Sequence, residues 1–231
     1  MIGYAIAIDG PVAAGKGTVA QLLAEKLHGF HLNTGAMYRC LALVCLRNNT
    51  NVQDVESVLQ LLTGITFSLD DTGIFINGEN VTDAIKARPV TQLVSKVAAI
   101  GVVRAEMVQK QRAIGIKKMQ AGSIVIAEGR DAATRIFPDA TLKIFLTAKP
   151  EVRAKRRFEQ MGGREGSSSS LDQILIDTKE RDDKDMNRAV DPLVKEPERF
   201  GYFVLDDSNL SEQATIAAVL QEIERRKHDR N

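Results

Sequence analysis

The sequence predicts a doubly wound α/β fold, with five parallel strands in one sheet and helices on both faces. Two observations carry that expectation. Five short apolar runs, near 4–8, 30–32, 123–127, 142–146 and 202–205, have the length and character of strands buried on both faces. Segments with helical spacing separate them, and strands that alternate with helices form parallel sheets through crossovers. A third observation sets one region apart. Residues 65–85 alternate apolar and polar side chains, which predicts a small antiparallel unit inserted in the α/β framework.

In order, the apolar run 4–8 leads into a glycine-rich stretch, 10–18. Val19, Leu22, Leu23 and Leu27 then recur at helical spacing and Gly29 ends the helix. A second strand at 30–32 precedes a helix over 36–47 and a weaker one over 55–62. In the insertion, taken as 63–88, Asp70-Asp71-Thr72-Gly73 and Asn77-Gly78 are turn signals between short strands. Helices resume over 89–119. The strand at 123–127 runs into Glu128-Gly129-Arg130-Asp131, and a fourth strand follows at 142–146. Residues 150–160 read as a charged helix. A Gly/Ser stretch at 162–170 is expected to be mobile. A helix over 171–188, a last strand at 202–205 and a helix over 212–225 complete the chain. The core is thus 1–62 and 89–231.

Composition excludes several classes. Lys and Arg number 31 against 30 Asp and Glu, so the net charge is +1. A protein that coats nucleic acid carries a basic surplus. Tryptophan is absent and aromatics are 5%, which argues against an RNA-stacking platform. No apolar run approaches the roughly 18 residues of a membrane span, and the N-terminus lacks a secretion pattern. Cys40 and Cys45 fall on different faces of a predicted helix and read as small buried hydrophobes, in keeping with a reducing cytoplasm. His28, His31 and His228 have no metal-ligand spacing.

The strongest chemical signal is Gly10-Pro11-Val12-Ala13-Ala14-Gly15-Lys16-Gly17-Thr18 between a strand and a helix. Its glycines let backbone N–H groups converge on an anion, and the helix N-terminus adds partial positive charge. Lys16 can reach a transferring phosphate. The usual pattern places Ser or Thr directly after the lysine; here Gly17 intervenes.

The Gly15-Lys16-Gly17-Thr18 ending resembles the nucleoside monophosphate kinases, and no Asn-Lys-x-Asp motif of a GTPase is present. Asn33-Thr34-Gly35-Ala36-Met37-Tyr38-Arg39, Glu128-Gly129-Arg130-Asp131 and Glu180-Arg181-Asp182-Asp183-Lys184-Asp185-Met186-Asn187-Arg188 follow in order. As a set they resemble the bacterial-type cytidylate kinases over about 6–205. The resemblance implies a P-loop NTPase-type fold, a kinase core with a mobile lid around 153–178, and transfer of the ATP γ-phosphoryl group to CMP or dCMP. It implies that Gly10, Pro11, Val12, Ala13, Ala14, Gly15, Lys16, Gly17 and Thr18, with Arg153 and Arg157 of the lid, bind ATP. Thr34 and Arg39 are implied to touch the acceptor nucleotide, Arg39 at its phosphate. Ser95, Arg104 and Asp131 are implied to read the cytosine. Arg130, Arg181 and Arg188 are implied to bind phosphates and, with Lys16, to be catalytic, while Asp185 accepts from the ribose. Mg²⁺ is implied to bind mainly through phosphates and water. A monomer without nucleic-acid or membrane partners is expected.

The residues also admit plainer readings. Thr34 suits a helix N-cap. Arg39, Ser95 and Arg104 suit helix surfaces. The Arg181–Asp185–Arg188 run, and Arg153, Lys155, Arg156 and Arg157, suit solvated faces. Val12-Ala13 replaces a common Ser-Gly, Asn33 stands where Asp is common, and Ala133 stands where Gly is expected, beside the base pocket. Other acceptors, such as UMP, AMP or a hydroxyl compound like shikimate, and a nucleotide-binding regulator without turnover, are the competing readings.

Overall fold

A computed structural model of the protein describes residues 3–70, 72–160 and 170–228. The first half contains β1 (Ala5–Asp9), α1 (Lys16–Leu27), β2 (Phe30–Asn33), α2 (Thr34–Arg47) and α3 (Val55–Thr63). Then come β3 (Phe67–Asp70), β4 (Gly73–Ile76), β5 (Glu79–Asn80), α4 (Arg88–Ala98) and α5 (Gly101–Gln120). The second half contains β6 (Val125–Gly129), β7 (Leu142–Thr147), α6 (Pro150–Gln160), α7 (Leu171–Asn187), β8 (Phe203–Asp206) and α8 (Glu212–His228).

The five-stranded sheet has the order β2-β6-β1-β7-β8, and every pairing is parallel. β1 is central and all five of its residues are buried. Ala5 and Ala7 point into a core shared with α2 to α5, whereas Ile6 and Ile8 point into a core shared with α1 and α8. This explains why the strand reads as a continuous apolar run. Each buried isoleucine contributes about 1.5–3 kcal/mol of burial. The pairing of Asp9 with Gly129 brings the C-terminal ends of β1 and β6 together. The loop after β1 and the turn after β6 therefore open into one crevice, where sheets of this class collect ligands.

The insertion is a three-stranded antiparallel sheet in the order β3-β4-β5. Its third strand, only two residues long, is too short to register in the alternation. A bidentate pair of Arg47 with Glu79, at 2.7 and 2.8 Å, ties it to the end of α2. The helical run after the insertion breaks at Ala99-Ile100 into α4 and α5.

Two helix ends differ from expectation. The N-cap of α2 is Asn33, whose Oδ1 accepts from the Ala36 N–H at 2.8 Å. Thr34 is the first helical residue, and its hydroxyl donates to the Glu128 carbonyl at 2.6 Å, tying α2 to β6. Helix α7 stops at Asn187, because Arg188 has φ −65° and ψ 146°, outside the helical region. Cys40 and Cys45 are fully buried on α2, and burial pushes the Cys40 thiol up to about 12. The stretch expected to be mobile falls, over 162–169, outside the described residues. Among the described residues, no helix is long and apolar enough to cross a membrane.

Candidate active site

The loop after β1 is shaped by residues at positive φ. A Cβ on Gly10 would sit 2.0 Å from the Leu146 carbonyl oxygen, so only glycine lets the chain pass over β7. Gly15 takes φ 80°. Ala13 also takes φ 56°, although it carries a side chain. The left-handed conformation costs a non-glycine residue about 1–2 kcal/mol. Part of this is offset because alanine restricts the unfolded chain more than glycine does. Ala13→Gly is therefore expected to stabilise the fold by about 0.5–1 kcal/mol, read as a higher denaturant midpoint. A lowered midpoint would show that Ala13 is not strained.

Lys16 begins α1, is buried, and donates from Nζ to the Pro11 carbonyl at 2.7 Å. Burial and then the nearby Arg130 charge lower its pKa to about 7, against the opposing pull of Glu128, Asp9 and Asp185.

The arginines of α6 diverge. Arg153 is buried, and its Nη1 donates to the Val12 carbonyl at 2.8 Å and meets Asp182 at 2.6 Å. It is committed to the loop's backbone, so the solvated-face reading fails for it. The Val12 N–H, expected to face an anion, donates to Asp182 Oδ1 at 3.0 Å. Arg157 lines the cavity described next. Arg156 pairs with Asp207 at 2.8 Å. Its Nη1 lies 4.0 Å from where a Gly15 Cβ would be, so it flanks the loop. Lys155 is exposed and stays with the solvated reading.

Beside the loop lies a cavity of about 1050 Å³ between α4 and α7. Val12, Ser95, Arg157, Arg181, Asp185 and Arg188 are among its walls. Arg130 Nε donates to Asp185 Oδ2 at 2.7 Å, and Arg188 Nη1 stands 3.7 Å from Asp185 Oδ1. Arg188 also donates from Nε to the Asp191 carbonyl at 2.6 Å. Arg39 donates to the Thr91 hydroxyl at 2.9 Å and the Ile85 carbonyl at 3.2 Å. Arg181 is different: its Nε is buried with no partner. Burial, the Arg130 charge, and further on Arg157 and Arg39 depress its pKa to about 10, with Asp185 opposing. Burial, then Arg157 and Arg130, lower Arg39 as well. These guanidinium groups repel one another across the space, an arrangement that a bound polyanion relieves. The solvated-face reading fails for Arg181, Asp185 and Arg188, none of which is exposed.

Arg104 is not a surface arginine. At 1% exposure it is among the most buried side chains. Its Nη2 donates to the Asp131 carboxylate, its Nε to Asp191 Oδ2 at 3.3 Å and its Nη1 to the Ala98 carbonyl at 3.1 Å. It lies over the Tyr38 ring at 5.5 Å, and the buried Tyr38 hydroxyl has no partner. Ala98 lines the cavity, so the Arg104–Asp131 pair stands directly behind its wall. Thr34, bonded to β6, does not line it.

Sequence reasoning missed Asp9. Its two carboxylate oxygens accept from the Ala132 and Ala133 N–H groups, each at 2.8 Å, and from the Tyr202 hydroxyl at 2.7 Å. It thereby fixes the turn that carries Asp131, a π-helical turn over Ala132–Ile136. Burial raises its pKa to about 6, although the bonds from Ala133, Tyr202 and Ala132 oppose the rise. An acid closing an apolar strand just before the loop was the available signal. Ala133 takes no positive φ, so alanine is accommodated there without strain.

For a divalent cation, the described residues hold no group of three or more His, Cys, Asp or Glu side chains able to ligate one. Glu128 is the acid best placed. One of its oxygens lies 3.3 Å from the Cβ position of Gly17, next to Thr18. Burial raises its pKa, but His31, whose Nε2 stands 3.7 Å from a Glu128 oxygen, and the Lys16 charge outweigh this and keep it below the ordinary value. A single anionic oxygen beside the loop suits a Mg²⁺ ion that would keep waters and lean on phosphates.

A parallel sheet of this order, a phosphate loop after its central strand and an arginine-lined cavity beside that loop define a phosphate-loop kinase acting on a small anionic acceptor. The family model for cytidylate kinase matches residues 6–225, and the chain belongs to that family. It is 42% identical over 216 residues to the cytidylate kinase of Polynucleobacter necessarius, covering 93% of this chain and 96% of that one. It is 38% identical over 218 residues to the cytidylate kinase of Caldanaerobacter subterraneus, covering 94% and 93%. Among solved structures, an uncharacterized protein from Eubacterium ventriosum shares the fold, with a TM-score of 0.53 at 14% identity over 96% of this chain and 98% of that one.

Proposed function

We propose that the chain transfers the γ-phosphoryl group of ATP to CMP or dCMP, giving CDP or dCDP and ADP. The observation that carries this reading is a cavity beside the phosphate loop with Arg157, Arg181 and Arg188 in its wall, backed by Arg39 and Arg130, which bond the wall residues Thr91 and Asp185. Membership of the cytidylate kinase family supports it.

The acceptor phosphate oxygen is already anionic at neutral pH, so no general base is required. Two polyanions must instead be aligned and their repulsion neutralised. The loop from Gly10 to Thr18 receives the triphosphate, and Lys16 leaves the Pro11 carbonyl to follow the moving phosphoryl group. Arg39, Arg130, Arg181 and Arg188 hold the acceptor phosphate, and Asp185 accepts from the ribose. Ser95, Arg104 and Asp131 read the base. Thr18 and Glu128 are the residues that would hold Mg²⁺, and the ion would supply charge neutralisation at the phosphates. The insertion at 63–88 belongs to the acceptor-binding region, and the segment around 153–178 is the lid.

An ADP-release assay across CMP, dCMP, UMP, AMP and shikimate tests the reading. ADP production with CMP and dCMP is expected to exceed that with the others. Nucleotide binding without any ADP release would instead favour a regulator.

Lys16 adds a pH signature. Free Lys16 titrates near 7, whereas a lysine against phosphates is fully charged. The bound state therefore holds more protons above pH 7, so ADP binding takes up a proton and weakens as pH rises from 7.5 to 9. Calorimetry in buffers of different ionisation enthalpy measures this. Binding at pH 8 without proton uptake would mean that Lys16 is already charged in the free protein.

A further inference from the structure

A buried ion pair grips both backbone polar groups of Val12 in the phosphate loop. Asp182 accepts from the Val12 N–H at 3.0 Å, and Arg153 donates to the Val12 carbonyl at 2.8 Å. The two side chains meet at 2.6 Å, and both are buried. Arg153 also donates from Nε to the Ala148 carbonyl at 2.8 Å, just past β7, which fixes its guanidinium to the sheet. The next loop residue, Ala13, holds its left-handed φ of 56°. A non-glycine residue keeps that conformation only where its surroundings impose it. On α7, Arg181 directly precedes Asp182, and Asp185 follows within a turn. One helix therefore carries both the acceptor-site groups and the grip on the donor loop.

We infer that Asp182 and Arg153 are positioning residues that lock the phosphate loop to α7 and thereby set the distance between donor and acceptor phosphates. The inference rests on the phosphoryl-transfer reading and deepens it. The pair is neutral as a unit, so it adds little net field at the triphosphate. It also withdraws the Val12 N–H from the ligand. Its contribution is geometric, and a misplacement of about 1 Å at a reacting centre costs roughly 10²-fold in rate.

The test compares Asp182→Ala, Asp182→Asn, Arg153→Lys and the double variant Asp182→Ala/Arg153→Ala. Steady-state kinetics with ATP and CMP are combined with calorimetric ADP binding, which needs no acceptor. Asp182→Ala is expected to lower kcat by about 10–100-fold and weaken ADP binding, with the KM for CMP changed by less than about threefold. Asp182→Asn keeps an acceptor for the Val12 N–H and is expected to recover part of the loss. The double variant should lose no more than about threefold beyond the worse single one, because the pair acts as a unit. Circular dichroism reports folding. Should the alanine variants not fold, Asp182→Asn and Arg153→Lys carry the same kcat and ADP readouts. The clamp is overturned by a folded Asp182→Ala variant with kcat and ADP affinity within twofold of the parent, by losses that multiply in the double variant, or, where the alanine variants do not fold, by an Arg153→Lys variant within twofold on both readouts. If the parent chain did not turn over CMP, the CMP reading would fall, and the ADP affinities would still decide the clamp.

Discussion

Lys16→Ala is expected to lower turnover of CMP by roughly 10²–10³-fold while the protein stays folded. The magnitude follows from removing one preorganised charged donor from a site where negative charge is redistributed. In the free protein Lys16 makes one hydrogen bond, to the Pro11 carbonyl at 2.7 Å, inside its own loop. No core contact depends on its ammonium group, and its depressed pKa shows that the free fold does not stabilise the charge. Stability should therefore change little, while the transition state loses a cation that follows the phosphoryl group. The split between kcat and KM is informative. A charge felt equally by bound ATP and by the transition state would raise KM alone. The expected result is a large fall in kcat with a smaller rise in the KM for ATP. Turnover within tenfold of the parent would remove Lys16 from the catalytic set. Lys16→Arg is expected to recover little, because a guanidinium fork does not fit a slot shaped around a compact ammonium.

Local signals made the sheet and the loop legible. β1 and β6 read as strands because both of their faces are buried, so an unbroken apolar run is itself the signature. The loop was readable because its chemistry is sequential: glycines, a lysine and a helix start within nine residues. What stayed hidden depends on contacts distant along the chain. The Val12 bond to Asp182 spans 170 positions, and the Ala132 and Ala133 bonds to Asp9 span 123 and 124. No spacing rule reports such partners. The fate of Arg153 shows the consequence. Its i,i+4 relation to Arg157 is real, yet a carboxylate from another helix turns it into a brace. Asn33 takes the capping role expected of Thr34 for a subtler reason. Both are good caps, and only the Thr34 hydroxyl's bond to Glu128 on β6 decides which one caps the helix.

Base choice is expected to rest on the buried Arg104–Asp131 pair, with CMP exceeding UMP in kcat/KM by about tenfold or more. Cytosine offers an amino donor and a bare ring nitrogen where uracil offers a carbonyl and an N–H. An ionised Asp131 only accepts and Arg104 only donates, so their polarity matches cytosine at both places. Arg104 is locked by Asp131, by Asp191 at 3.3 Å and by the Ala98 carbonyl at 3.1 Å. Asp131 is in turn fixed by a backbone turn that Asp9 holds. Such a pair cannot easily rotate to suit uracil. An unpaired buried polar group costs about 1–3 kcal/mol, and about 1.4 kcal/mol is a factor of ten. Asp131→Asn keeps a carbonyl acceptor and adds a donor, so it should narrow the CMP/UMP ratio by weakening CMP more than UMP. Arg104→Ala would strand the buried Asp131 carboxylate, while Asp191 keeps Arg135 at 2.7 Å; the destabilisation of about 3–5 kcal/mol obscures its kinetic effect. Arg104→Lys keeps the charge and removes the fork, and is the better probe. It should cut kcat/KM for CMP by about tenfold or more and leave the KM for ATP nearly unchanged. A folded Arg104→Lys variant with a raised KM for ATP and an unaltered CMP/UMP ratio would move Arg104 to the donor side and take base reading away from this pair.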